Sequence, residues 1–295
     1  MKPKLSIVFV NYNSALLLSA ALASLGRSEE CERIVVDNAS ADAGAVVSVC
    51  RENGALLVRL GRNLGYGGAA NVGFRYARGR YLAVANPDLV FADGAAESLV
   101  CFLEENPRAG VVAPQFVYPD GFPQPSARRF PRLRYVLAGR RSQLFRIWPR
   151  YSGAKEFLYL EAHKSNGPVE VEAVVGAFMM FRREALEEIG GFDEGYFMFA
   201  EDMDICRRLH KRGWQVFLDP RVRVLHHCGG VRRNYRDFTE YHRLKALCRF
   251  FCSGRSRPVR GMLSIAFTGY LSMLQAGSAL GLREFEYSWQ GIRRD

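Results

Sequence analysis

Short apolar, β-branched runs alternate with helix-patterned stretches through the first half of the chain. The runs are LSIVFV (5–10), RIVVD (33–37), ALLVRL (55–60) and YLAVAN (81–86), and the stretches lie near 14–25, 40–52, 67–78 and 93–105. That order predicts repeated βαβ units, and so an α/β fold with a mainly parallel sheet flanked by helices. The second half is less regular. VEVEAVVGAFMMF (169–181) reads as strand, and RREALEEIGG (182–191) as a short helix stopped by Gly190 and Gly191. A helix from the acids at 201 to about Lys211 follows, with Gly213 as its stop, then strands at 214–218 and 222–227 and a helical tail. No internal repeat or low-complexity tract appears, and the linker candidates are 120–155 and 253–258.

In sheets of this kind, ligands bind beyond the carboxyl ends of the strands. Those ends carry NYNS (Asn11 to Ser14), DNAS with Asp42 following, GRNLGYGGAANVG (61–73) and NPD (Asn86, Pro87, Asp88). All four are polar or glycine-rich loops rather than quick turns, which suggests one shared crevice. A further acidic feature is YFMFAEDMDICRRL (196–209), where Glu201, Asp202 and Asp204 directly follow an apolar run. Ionised carboxylates there need a metal, a cationic group or an arginine as partner. A plain helix start is the competing reading, since acids in a first turn complement the helix dipole and Arg207 and Arg208 lie at helical spacing.

Several motifs have a functional and a structural reading side by side. Gly65, Gly67 and Ala70 match G-x-G-x-x-A after a strand. The dinucleotide fingerprint, however, belongs to a first βα turn with its acid on the next strand, whereas here the loop follows the third strand and Asp37 precedes it. A dinucleotide-dependent oxidoreductase is therefore the weaker alternative, and close packing of a helix on the sheet accounts for the glycines equally well. Asp37, at a strand end, is placed for a sugar hydroxyl or a base N–H, or for a helix cap, which Ser40 or Asp42 would serve as well. Pro87 forces a sharp exit before Asp88 while Asp93 is available as the next cap, which leaves Asp88 as a hard-metal ligand. His226 and His227 are adjacent in a strand and so point to opposite faces, and at most one reaches a given site. Cys206, Cys228, Cys248 and Cys252 lack a C-x-x-C, so structural zinc is not expected.

Composition changes the picture mainly through charge. With 295 residues, 48% hydrophobic and 24% charged, the chain has ample core for one large or two small domains. Its first apolar run stops at Asn11, unlike a signal peptide, and its 7 scattered cysteines read as reduced thiols in a cytosolic protein. The net charge of +11 is concentrated between Asp120 and Glu156, a span that holds Arg128, Arg129, Arg132, Arg134, Arg140, Arg141, Arg146, Arg150 and Lys155 and no acid. Such a span meets solvent or an anionic partner. Without a zinc-finger, RRM or helix-turn-helix pattern, nucleic acid ranks last. Residues 261–282 carry no charge but many Ser, Thr and Gly residues, with Arg255, Arg257, Arg260 and Arg283 at their flanks. They read as packed or interfacial helix rather than a membrane span.

Taken in order, SIVFVNYNS, VVDNASAD, NLGYGGAANVG, ANPD, GAFMMFRREALEEIGGFDEGYFMFAEDMDICRRLHKRGW and RVLHHCGG resemble the family 2 glycosyltransferases of the GT-A fold. The likeness runs from about Leu5 to Gly230 and is greatest to bacterial rhamnosyltransferase-type members that build cell-surface polysaccharide. It implies a GT-A domain over 1–230, with the arginine-rich loop 120–155 inserted, and a helical segment over 231–295 that is membrane-associated or dimerising. It also implies inverting transfer from a nucleoside diphosphate sugar, dTDP-rhamnose or a UDP-sugar, to a saccharide or polyprenyl-pyrophosphate-linked glycan, with Mg²⁺ or Mn²⁺ as cofactor. By motif match, Asp37 and Asn38 contact the nucleoside, while Asn11 and the loop from Asn63 through Gly65 to Asn71 close around the donor. Asn86 stands where the family has the first Asp of a D-x-D-like motif, leaving Asp88 as metal ligand, and His226 matches the family's metal-binding histidine. The residues after Gly229, Gly230 and Val231, depart from the family pattern.

In the same resemblance Asp202 is the catalytic base and Glu201 orients it or binds the acceptor, whereas Asp204 with Arg207 or Arg208 anchors the helix. The implied setting is cytoplasmic, with peripheral contact at the inner face of the plasma membrane and a homodimer both left open. A noncatalytic binding protein on the same fold is the rival reading from another class.

Overall fold

The computed structural model describes residues 2–26, 28–132, 153–227 and 236–279. Gly229, Gly230, Val231, Cys228, Arg283 and most of the arginine-rich segment, Arg134 to Arg150, lie outside the described residues. Strands β1 (Leu5–Asn11), β2 (Cys31–Asp37), β3 (Leu56–Arg59) and β4 (Tyr81–Ala85) alternate with helices α1 (Ala15–Ser24), α2 (Ala43–Asn53), α3 (Gly65–Phe74) and α4 (Ala95–Glu105). Every residue of β1 and β4 is buried. Continuous apolar strands of this kind are what a sheet covered on both faces requires. α1, α2 and α4 cover one face through Leu18, Leu22, Val46 and Leu99. The other face is covered by α3, α6 (Arg183–Glu188) and α7 (Glu201–Lys211), through Ala69, Ala70, Ala185, Ile205 and Leu209.

The remaining strands are β5 (Leu89–Phe91), β6 (Ala109–Val117), β7 (Ala127–Arg128), β8 (Val169–Glu170), β9 (Ala173–Val174), β10 (Phe178–Arg182) and β11 (Gln215–His226). The main sheet runs β3-β2-β1-β4-β10-β6-β11-β5, with β8 also on β11, and β7 pairs with β9 in a small separate ribbon. β1 to β4 are mutually parallel, β6 and β11 are parallel to each other, and β10 is antiparallel to both β4 and β6. The carboxyl ends of β1, β2, β4, β6 and β11 therefore share one edge with the amino end of β10.

The pattern along the sequence and the structure part company at particular residues. The expected strand 169–181 is three short strands, because Gly176 interrupts it and its main chain is engaged elsewhere. The two strands expected at 214–218 and 222–227 are one, β11, with a register shift between Asp219 and Arg223, where Pro220 has no N–H for the ladder. β6 was not anticipated, and Pro114 within it masks the pattern. α3 starts at Gly65 and ends at Phe74 rather than spanning 67–78. Its small residues serve packing: a Cβ on Gly73 would collide with Val8, and one on Gly67 would fall 2.9 Å from the Phe192 Cβ.

Asp204 was expected to anchor α7, and it does. Nearly inaccessible, it accepts from Arg207 at 2.6 Å and Arg208 at 2.8 Å. Arg207 in turn lies 3.9 Å over the Phe250 ring and donates to the Phe250 carbonyl at 2.8 Å, tying α8 (Arg236–Cys252) to α7. Arg249 adds a paired contact to Asp193 at 2.7 and 3.0 Å. Asp204→Ala would leave two largely covered guanidinium groups without their counter-ion, which costs about 3 kcal/mol of stability. Urea unfolding would measure that loss, and a change under about 1 kcal/mol, the level of an exposed pair, would contradict it.

Candidate active site at the carboxyl edge of the sheet

β1 and β2 are in register at Asn11 and Asp37, so both side chains emerge together at the edge. Asn11 Nδ2 donates to Asp37 Oδ1 at 3.3 Å and to Ser40 Oγ at 3.2 Å, while Arg59 Nε lies 4.0 Å from Asp37 Oδ2. Asn38 binds the loop before α3 on both sides of its amide: it donates to Asn63 Oδ1 at 2.9 Å and the Gly65 carbonyl at 3.2 Å, and accepts from the Leu64 N–H at 2.8 Å. Asn13 and Ala39, both at strand ends, hold φ values of 52° and 67°. Positive φ at non-glycine residues costs on the order of 1–3 kcal/mol and concentrates at functional sites.

Asn71 and Gly65, expected in a loop that closes around the donor, make contacts within the protein itself. Asn71 exchanges hydrogen bonds of 2.9 Å with the Phe192 carbonyl and N–H and donates to Glu194, so it fastens α3 to the 191–194 turn. Gly65 has φ 77°, and a Cβ on it would strike the Phe197 carbonyl. The Tyr66 N–H donates to that same carbonyl at 3.1 Å. The glycine loop thus closes on the apolar stretch that precedes the acid pair.

β5 is antiparallel to β11 with Leu89 opposite His226, which sets Asp88 beside that histidine. His226 Nε2 lies 3.5 Å from Asp88 Oδ1, and that oxygen is buried with no hydrogen-bond partner among the described residues. His226 is buried and His227 exposed, as adjacent strand residues should be. The Asn86 N–H donates to the Ala177 carbonyl at 2.8 Å, joining the NPD loop to the start of β10.

Gly176, next to Ala177, is the junction with the acids. Its N–H donates to Asp202 Oδ2 at 3.1 Å, and its carbonyl accepts from the Tyr66 hydroxyl at 2.7 Å. A Cβ on Gly176 would press to 3.1 Å from the Asp202 Cβ, so a side chain there would push on Asp202. Asp202 Oδ1 accepts from the Met203 N–H at 2.8 Å. Phe199 and Ala200 stand at φ 69° and 60° immediately before the pair. This strained corner turns the chain so that Glu201 and Asp202 open α7 at the site.

Burial dominates the titration of the pair. It raises Glu201 from the usual 4.5 to about 8, with the Asp202 charge adding to the effect. Burial also raises Asp202, but the Gly176 and Met203 N–H groups and the charge of Arg128 work against it. The two N–H groups on the Asp202 carboxyl favour placing the pair's negative charge there rather than on Glu201. Tyr66 is pushed well above the ordinary tyrosine value, first by burial and then by Glu201, Asp202 and Asp88, so these carboxylates surround one phenol.

Tyr66, Gly176 and Gln124 were missed from sequence. Tyr66 and Gly176 lie in stretches that looked like packing, and Gln124 sits in what looked like linker. Gln124 donates to the His226 carbonyl at 2.6 Å and meets His226 Nδ1 at 2.9 Å.

The description "Glycosyl transferase family 2" belongs to a family model that matches residues 6–190, and a second, "Glycosyl transferase family group 2", matches 157–276. An N-acetylglucosaminyl-diphospho-decaprenol L-rhamnosyltransferase of Mycobacterium tuberculosis is 34% identical over 77% of this chain and 77% of its own. Rhamnosyltransferase WbbL of Escherichia coli is 22% identical over 84% of this chain and 93% of its own. Among solved structures, a mannosyltransferase from Pyrobaculum calidifontis in complex with GDP-Man and Mn²⁺ superposes with a TM-score of 0.59. That match has 19% identity and covers 96% of this chain and 82% of the other.

The raised Glu201 has a direct consequence for stability. Between about pH 4.5 and 8 the folded chain holds a proton there that the unfolded chain has released, so stability falls as pH rises through that window and levels above it. Glu201→Gln removes this contribution, and its unfolding free energy, measured by urea at intervals from pH 5 to 9, should fall less steeply than that of the natural chain. Parallel profiles would show that Glu201 is not a buried, proton-holding acid.

Proposed function

The chain belongs to glycosyl transferase family 2, and we propose that within it this enzyme transfers a deoxyhexose, L-rhamnose from dTDP-rhamnose in the first instance, to a polyprenyl-diphosphate-linked glycan. The observation that carries the reading is the convergence at one sheet edge of Asp37 with Asn11, Asp88 with His226, and the Glu201–Asp202 pair around Tyr66. The names of the relatives from Mycobacterium tuberculosis and Escherichia coli support rhamnose as the sugar, and the first supports the lipid diphosphate acceptor. UDP-sugars are the second donor class to test.

Each group then has a role set by its chemistry. Asp37, with Asn11 behind it and Asn38 bracing the next loop, meets the nucleoside. A buried, unpartnered carboxylate oxygen facing an imidazole nitrogen at 3.5 Å is a donor set suited to a divalent cation, so Asp88 and His226 would hold Mg²⁺ or Mn²⁺. Such an ion, when bound, stabilises the negative charge that grows on the departing diphosphate. Among the described residues no cluster of three or more His, Cys, Asp or Glu side chains surrounds this place, which leaves diphosphate oxygens and water as the other ligands. Asp202 takes the proton from the acceptor hydroxyl as that oxygen attacks the anomeric carbon opposite the leaving diphosphate, which inverts the configuration. Glu201, protonated, is available to donate a hydrogen bond to the acceptor. Gly176 and Met203 orient the Asp202 carboxyl through one N–H each, and each oxygen retains a second acceptor position.

Asp202→Asn should keep nucleotide binding by calorimetry while turnover with dTDP-rhamnose falls by about 10²–10⁴-fold, the usual contribution of a positioned base. Near-native turnover would remove Asp202 from that role, and a natural enzyme that uses UDP-sugars but not dTDP-rhamnose would overturn the donor.

The acceptor's lipid implies a membrane surface, and helix α9 (Arg257–Ala279) supplies a face for it in this reading. α9 packs on α8 through Phe267 against Phe251, leaving Met262 and Ile265 at 71% and 75% exposure. Arg255, Arg257 and Arg260 are exposed at its start, and no acid occurs from Tyr241 to Arg283. No helix among the described residues is long and apolar enough to cross a membrane. The reading is thus of residues 1–230 as the catalytic unit, cytoplasmic, and 231–295 as a peripheral contact with the inner leaflet. Vesicles containing phosphatidylglycerol should pellet the natural chain but not a Met262→Glu/Ile265→Glu variant. Equal pelleting of the two, or of neither, would rule this face out.

A further inference from the structure

Gln124 lies in the loop after β6, is 5% exposed, and is fixed from several directions. Its N–H donates to the Phe116 carbonyl at 2.8 Å, and its own carbonyl accepts from Gln115 Nε2 at 2.7 Å and Ser126 Oγ at 2.9 Å. The side-chain amide faces β11. Its Nε2 meets the carbonyls of His226 at 2.6 Å and Val117 at 3.2 Å. Both are acceptors only, so the NH₂ end of the amide must point at them and the oxygen must point the other way.

The other way is His226. Gln124 Oε1 lies 2.9 Å from Nδ1, and an amide oxygen cannot donate. Nδ1 therefore carries the hydrogen, and in the neutral ring the lone pair is on Nε2, the nitrogen 3.5 Å from the unpartnered Asp88 Oδ1. Phe116, whose ring centre is 5.4 Å from that of the imidazole at a 55° tilt, closes one side of the ring. Rotation about χ2 would break the Gln124 bond, so the ring has one favoured orientation.

We propose that Gln124 is a positioning residue: its backbone-locked amide selects the Nδ1–H tautomer of His226 and aims Nε2 with Asp88 at a shared divalent cation. The proposal rests on the reading of Asp88 and His226 as metal ligands. The tautomer itself belongs to the metal-free protein, so it can be tested apart from that reading. A ligand histidine fixed through its other nitrogen is the arrangement that second-shell partners impose, and losing such a partner typically costs 10–100-fold in metal affinity.

The experiment combines ¹⁵N imidazole NMR of the metal-free protein, with His226 assigned by comparison with His226→Gln, and Mn²⁺ binding followed by electron paramagnetic resonance with dTDP present. The natural chain should show Nδ1–H at His226. Gln124→Leu should lose that tautomer preference and bind Mn²⁺ about 10–100-fold more weakly, with metal-free dTDP binding unchanged. Gln124→Met, which keeps the length of the side chain but removes the amide, should show the same two losses. An Nε2–H tautomer in the natural chain overturns the proposal without any variant. So does Gln124→Leu with unchanged tautomer and Mn²⁺ affinity. Should that variant not fold, the natural chain and Gln124→Met decide by the same readouts. An intact tautomer with no Mn²⁺ binding by the natural chain would instead sink the metal reading and leave the role of Gln124 in fixing the ring.

Discussion

β10 runs against both neighbours, and this reversal joins the second half of the chain to the edge where the first half ends. A parallel β10 would carry Gly176 to the far edge of the sheet. As built, Gly176 and Ala177 arrive beside the carboxyl end of β4, and their main-chain groups bond Asp202, Tyr66 and Asn86. These are hydrogen bonds to backbone, which side-chain substitution at 176 or 177 does not remove but can displace. Any side chain at 176 would press on the Asp202 Cβ, which is already close.

The acids are held there against two costs. Desolvation disfavours both negative charges, and Phe199 and Ala200 adopt the left-handed conformation in order to start α7 at that point. Asp204 offsets part of this, since its two arginines fasten the same helix to α8 and to the Ile189 carbonyl. The helix-start reading of the acidic stretch holds for Asp204, which the structure pairs with both arginines. Asp204 holds the helix and Asp202 faces the edge, as α-helical spacing of two residues turns side chains to different faces.

Legibility followed locality. β1 to β4 and their helices were readable because each is a continuous run whose period announces it, and the strand-end polar loops followed from where those runs stop. Asp37, Asp88, His226 and Asp202 stood out as polar groups left over once caps and arginine pairs were assigned, and the fold brings them to one edge. β6 was hidden by Pro114, and the antiparallel course of β10 was hidden because direction leaves no trace in alternation. Asn71 and Gly65 are polar or flexible residues on a loop that looked like a donor clamp, yet long-range packing on Phe192 and Phe197 takes both. No local rule reveals a partner more than a hundred residues away.

The same limit explains Gln124 and alters how the arginine-rich segment is understood. Its beginning read as linker, but residues 124–130 form part of the site's frame. Ser126 accepts the Phe116 N–H at 2.8 Å, and its carbonyl accepts the Val175 N–H at 2.9 Å. β7 then pairs with β9 just ahead of Gly176, and the positive charge of Arg128 lowers Asp202. One short stretch thus contacts the His226 imidazole at one end and, through the charge of Arg128, bears on Asp202 at the other.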